Sequence, residues 1–152
     1  MKKIKITIFL IKLLILNNCS GYEPIFSKKN YDFSINEIEI IGDKSLGNKI
    51  SDNLQAYKNK DNEKTLSLVI NTGLKKDISS RDTKGNPKTF SIKITSEVKV
   101  INDEVEKLLK FTENTTYNNS SSKFELKKNE SNIAEYLIEK ISRNIINSLQ
   151  TF

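Results

Sequence analysis

The sequence predicts a two-layer α+β domain, with a four-stranded, mostly antiparallel sheet carrying two helices on one face. Three observations carry that expectation. Residues 90–101, "FSIKITSEVKVI", alternate apolar and polar side chains along their length, the period of a strand with one buried face. Residues 131–150 repeat apolar side chains at Ile133, Leu137, Ile141, Ile145 and Leu149, the period of an amphipathic helix. Strand and helix patterns then follow in the order strand, helix, strand, strand, strand, helix, which suits helices layered on a sheet.

Each element has its own pattern. "FSINEIEII", residues 33–41, sets Phe33, Ile35, Ile38 and Ile40 among polar neighbours. The alternation slips near Glu37, and the stretch reads as a strand. "GDKS" follows as a turn and helix start. Leu46, Ile50, Leu54 and Tyr57 share one helical face over residues 45–58, with Ser45 as the expected N-cap. Gly47 within it lowers helix propensity by about 1 kcal/mol relative to alanine. Residues 65–74, "TLSLVINTGL", place Leu66, Leu68, Ile70 and Leu74 on one side of a second strand. Residues 79–89 read as a long polar loop holding Gly85 and Pro87. In the third strand Phe90, Ile92, Ile94, Val98 and Val100 face one way, and Ser91, Lys93, Thr95, Glu97 and Lys99 the other. Asn102 and Asp103 make a hairpin turn. Residues 105–117 return as a fourth strand with Leu109 and Phe111 directed to the core. After the polar "NNSSSK" the closing helix is widened by Ala134, Ile138 and Ile146. Its mixed charges favour packing on the sheet over lying on a membrane surface.

Composition excludes several function classes. The chain has 152 residues, enough for one domain with its own core. A single cysteine rules out an internal disulfide framework and a cysteine-based zinc site. Histidine is absent, which removes the commonest general base and the commonest metal ligand. No nucleophile–base pair and no glycine-rich phosphate loop is recognisable, so neither an enzyme nor a cofactor is expected. The net charge is +6, but four of the 25 basic residues (Lys2, Lys3, Lys5 and Lys12) precede Cys19, leaving 21 against 19 acidic. Such a balance lacks the clustered basic face of a nucleic-acid binder.

The N-terminus reads as an address. A basic "MKKIK" precedes "ITIFLIKLLIL", residues 6–16. The apolar run is shorter than the roughly 20 residues a spanning helix needs, and Lys12 interrupts it. It has the length and order of a secretory signal peptide. The "LNNC" that follows resembles the lipobox of bacterial lipoproteins, with Leu16 three residues before Cys19 and asparagines where small residues are usual. The resemblance implies cleavage after residue 18, acylation of Cys19, and anchoring of a tether over 19–32 and a domain over 33–152. Two or three acyl chains anchor stably. Ser20 is not the aspartate that commonly retains lipoproteins in the inner membrane, so the implied destination is the outer membrane, facing the periplasm.

The residues after the cysteine carry a second resemblance. Cys19, Ser20, Gly21, Tyr22, Glu23, Pro24, Ile25 and Phe26 set glycine, aromatic, proline, aliphatic and aromatic in sequence. This is similar to the start of the LptE family of lipopolysaccharide-assembly lipoproteins, with Ser20 as an extra residue. The element order fits the same family. The resemblance implies a non-catalytic protein that plugs and helps assemble the LptD β-barrel and assists lipopolysaccharide delivery to the outer leaflet. Its implied partners are that barrel, lipopolysaccharide, and the membrane through its lipid. An alternative with the same anchor is an auxiliary subunit of a lipid-transport ABC system, and co-purification of a large barrel separates the two.

Candidate contacts are few. Arg81, Lys84 and Lys88 cluster in the 79–89 loop, where cations can meet lipid A phosphates or an acidic barrel wall. Asp82 offsets one of those charges. Tyr22, Pro24 and Phe26 are placed either under the sheet or against a partner.

Overall fold

The computed structural model describes residues 31–58, 62, 64–103 and 105–151. The expected leader, Cys19 and the 21–26 lead-in lie outside these residues. The order of elements is as expected: β1 (Phe33–Gly42), α1 (Lys44–Leu54) with a 3-10 turn (Gln55–Tyr57), β2 (Lys64–Arg81), β3 (Pro87–Ile101), β4 (Glu106–Asn118) and α2 (Lys123–Leu149). The strands lie side by side in sequence order. β1 runs parallel to β2, and the other two pairs are antiparallel. The parallel pair follows from α1, because a strand returns parallel only after a crossover.

Both helices cover one face of the sheet. Leu66, Leu68 and Ile70 of β2 and Ile94, Val98 and Val100 of β3 are buried beneath Ile50 and Leu54 of α1 and Leu137, Ile141 and Ile145 of α2, in a single cluster. The two helices are joined where Asn53 Nδ2 donates to Ser142 Oγ at 3.1 Å. The slip noticed in β1 is a bulge between Ile35 and Glu37. The extra residue turns Ile38 back to the face of Ile35, so an odd spacing still serves one core. Beside it Tyr31, Phe33 and Tyr57 form an aromatic cluster, with the Tyr31 and Tyr57 rings 4.6 Å apart edge to face. Burial, followed by the neighbouring Tyr31 hydroxyl, pushes the Tyr57 hydroxyl well above the usual tyrosine value.

Three local expectations are corrected, and Gly47 is explained by its packing. The cap of α1 is Asp43, not Ser45: its Oδ1 accepts from the amides of Ser45 (2.9 Å) and Leu46 (3.1 Å). One carboxylate oxygen satisfies two of the helix's orphan amides. Gly47 is a packing residue. A Cβ there would lie 2.3 Å from Ile40 Cγ2, so the missing side chain lets α1 sit close on β1. The 79–89 loop shrinks to residues 82–86, because β2 and β3 continue as a long hairpin. Pro87 is tolerated as the first residue of its strand. α2 also starts eight residues before the expected 131, capped by Ser122 Oγ accepting from the Glu125 amide at 3.3 Å.

Candidate functional site

The hairpin beyond α1 gathers the expected cationic residues. Arg81 ends β2, Lys84 lies in the turn, and Lys88 is the second residue of β3. All three are exposed. Asp82 builds the turn that presents them. Its Oδ1 accepts from the amides of Lys84 and Asn86, both at 2.8 Å. The Asn86 amide, followed by its side chain, holds the Asp82 carboxyl below the ordinary aspartate range. Arg81 Nη1 donates to the Gly85 carbonyl at 2.7 Å. One arm of its guanidinium is thus committed to the turn, and the remaining donors face solvent. Asp82 and Arg81 therefore serve the loop first, while the ammonium groups of Lys84 and Lys88 have no ion pair among the described residues.

A second cationic feature lies on the sheet face that the helices leave open. Lys75 stands directly opposite Lys93. Between this pair and Asn71 and Glu97, an open depression of about 440 Å³ is floored by Gly73 and flanked by Thr95. Nothing lies within 4 Å of a Cβ built on Gly73. Like charges opposite one another on a sheet are destabilising. Elsewhere on this face cations are matched: Lys110 pairs with Glu97 at 2.8 Å and Lys99 with Glu106 at 2.7 Å. Lys75 reaches Asp77 at 3.0 Å. Lys93 has no ion pair among the described residues. Lys93 was legible as part of a polar face. Lys75 was not legible as its partner, because it lies past the expected end of the second strand.

A polar clamp holds the hairpin to α2. Lys76 Nζ pairs with Glu130 Oε1, and the Tyr117 hydroxyl donates to the same oxygen at 2.8 Å. The ammonium lies 4.5 Å from the centre of the Phe90 ring, within cation–π range. A second clamp joins Lys140 to Glu113 at 2.6 Å. Burial raises the Glu130 carboxyl, but the hydrogen bonds from Lys76 and Tyr117 together outweigh it and leave it below the ordinary value of 4.5. A depressed carboxylate contributes stability that is present above its unfolded value and lost as pH falls through its folded one. Glu130→Gln is therefore expected to cost about 1 kcal/mol at neutral pH, solvent screening included. That cost should shrink as pH falls from 4.5 through the depressed folded value, because the wild-type carboxylate is then itself protonated. Melting both proteins over a pH series from neutral into acid checks this; a deficit that does not fall with pH would refute the clamp.

Among the described residues no cluster of metal-binding side chains occurs, and no helix is long and apolar enough to cross a membrane. The arrangement offers cations on a polar surface.

Comparison with solved structures gives the same fold at low identity. The rare lipoprotein B of Shewanella oneidensis superposes with a TM-score of 0.61 at 12% identity, covering 76% of this chain and 95% of its own. A minor lipoprotein of Acinetobacter baumannii gives 0.57 at 11% identity, covering 80% and 94%. A lipoprotein of Caulobacter crescentus gives 0.50 at 15% identity, covering 75% and 88%. Among curated proteins none matches at a significant level. A family model described as LptE, lipopolysaccharide-assembly, matches residues 35–149, from the first strand to the end of the last helix. With its fold and most of its length matched, the chain belongs to the LptE family of lipopolysaccharide-assembly proteins.

Proposed function

We propose that this protein is a lipid-anchored plug and assembly partner of an LptD-like outer-membrane β-barrel, assisting delivery of lipopolysaccharide to the outer leaflet. The observation that carries the reading is the family match across 35–149. The physical character of the domain supports it. Large barrels enclose a polar lumen wide enough for a small domain. The open sheet face presents Thr95, Glu97, Thr112 and Asn114, with Ile41 and Leu108 exposed among the polar side chains, and a mostly polar surface suits a wet, polar wall. Attachment at Cys19 belongs to the same proposal, with the domain held on the periplasmic side of the outer membrane. A pull-down from native outer membrane should recover a barrel of LptD size. Its absence would overturn the plug reading, and recovery of an inner-membrane ABC transporter would favour the auxiliary-subunit alternative. Labelling with radioactive palmitate, blocked by globomycin, should mark Cys19; an unlabelled chain would overturn the anchor.

Arg81, Lys84 and Lys88, with Lys75 and Lys93 further along the same hairpin, are the proposed contacts for lipid A phosphates. Ammonium groups act there as point charges, and the free side of Arg81 can engage a phosphate in fork geometry. Replacing Arg81, Lys84 and Lys88 with serine is expected to weaken lipopolysaccharide binding about tenfold or more, since each charge-assisted contact is worth roughly 1.5–3 kcal/mol. Lys75→Ser with Lys93→Ser should add to that loss. Unchanged affinity in either variant would remove that group from the site.

A further inference from the structure

From the edge of β2 we infer that this protein pairs with a second copy of itself, strand to strand, through residues 73–79. The inference stands on the fold alone and is independent of the plug reading. β1 pairs with β2 only as far as Gly42 opposite Thr72. Beyond Thr72 no other described strand adjoins that side of β2. A bare strand edge is a template for another strand.

The backbone phase of this edge is known. The Thr72 carbonyl points away from β3, because it accepts from the Asp43 amide at 2.9 Å. Alternate residues of a strand direct their polar groups to the same side. Leu74, Lys76 and Ile78 therefore present both N–H and C=O outward at the open edge. Their side chains share the helix-covered face, where Leu74 and Ile78 remain 42% exposed. Lys75 and Asp77 lie on the opposite face.

The sequence Leu74, Lys75, Lys76, Asp77, Ile78 is self-complementary about its centre. In an antiparallel pairing with a two-fold axis at Lys76, Leu74 meets Ile78 of the copy and Lys75 meets Asp77. The outward-facing residues then exchange N–H···O bonds as hydrogen-bonded pairs. Lys75 and Asp77 fall in the close, non-hydrogen-bonded pair, which suits an ion pair. The central Lys76 side chains are each neutralised by Glu130 and laid on Phe90. Both ends of the pairing are bounded. Asp43 occupies the edge at Thr72, and the ladder of β2 with β3 shifts register between Ile78 and Ser80. A two-fold contact uses both β2 edges and closes on itself, so it stops at two copies. So small an interface belongs to the weak class.

The test is sedimentation equilibrium of the full chain in density-matched detergent, over a concentration series. The wild type should show a monomer–dimer equilibrium. Asp77→Lys alone, or Lys75→Asp alone, sets like charges across the axis twice and should weaken dimerisation about tenfold or more. Mixing the two single variants restores both ion pairs and should restore a dimer, now a heterodimer. Lys75 and Asp77 side chains are 74% and 53% exposed, so both variants should melt like the wild type. A wild type that stays monomeric throughout, a dimer indifferent to both reversals, or variants that fail to recover on mixing would each overturn the proposal. Capture of another protein's extended segment at this edge, with no self-association, would overturn it in favour of a heterologous strand.

Discussion

Ile141→Ala is expected to lower stability by about 2–5 kcal/mol, the range for truncating a fully buried aliphatic side chain. Ile141 has no exposed surface. It sits in α2 within the cluster that joins Ile50 and Leu54 of α1 to Leu68, Ile70 and Val98 of the sheet. Two terms add. The lost methyl and methylene groups forfeit their transfer from water, and the hole left between helix and sheet forfeits dispersion contacts. Relaxation is limited because α2 is pinned on both sides of Ile141. Lys140 holds Glu113 at 2.6 Å, and Ser142 Oγ accepts from Asn53 Nδ2 at 3.1 Å. Denaturant titration should move the midpoint with little change in slope, and thermal melting should fall by roughly 10 °C or more. A loss below about 1 kcal/mol would mean that α2 does not close this core.

Gly42→Ala should cost about 2–4 kcal/mol, from backbone strain and overpacking together. Gly42 ends β1 with a φ of +78°, where its added Cβ would lie 2.5 Å from Asn71 Oδ1 and 2.7 Å from the Thr72 carbonyl. The asparagine side chain can swing away. The carbonyl cannot, because it accepts the Asp43 amide at 2.9 Å, and Asp43 in turn caps α1. The collision therefore falls on the joint between the parallel strand pair and its crossover helix. Gly42→Asn separates the two causes. Asparagine tolerates a positive φ but carries the same Cβ, so it should remain nearly as damaging as alanine. Recovery of wild-type stability by asparagine would leave strain alone as the cause. Gly73→Ala serves as the control: with open space around its Cβ, it should change stability by no more than about 0.5 kcal/mol.

Where one face of an element is buried, its identity was legible. Ile133, Leu137, Ile141, Ile145 and Leu149 mark α2, and all but the partly buried Ile133 are at most 1% exposed. The irregular spacing of Ile35 and Ile38 even signalled the bulge in β1. The far half of β2 gave no such signal. Residues 73–81 are exposed on both faces, so apolar and polar residues need not alternate there. That stretch is a strand because β3 pairs with it, and backbone pairing leaves little trace in side-chain composition. The first turns of α2 were missed for the same reason: Lys123 to Asn129 include only Leu126 as a part-buried apolar residue.

The candidate site divides along the same line. Arg81, Lys84 and Lys88 were visible because they are near in sequence, and the Asp82 turn does hold them on one hairpin. The Lys75–Lys93 pair and the Lys76–Glu130–Tyr117 clamp were invisible, since each joins residues distant in the chain. The sequence alone determined the α+β class, the order of elements, the core-facing residues and the family resemblance, because hydrophobic periodicity and short motifs are local properties. Only the tertiary structure decided how far the hairpin extends, which charges face one another and how far along β2 a described neighbouring strand runs beside it. Those depend on register, and register is set by pairing between residues far apart in sequence.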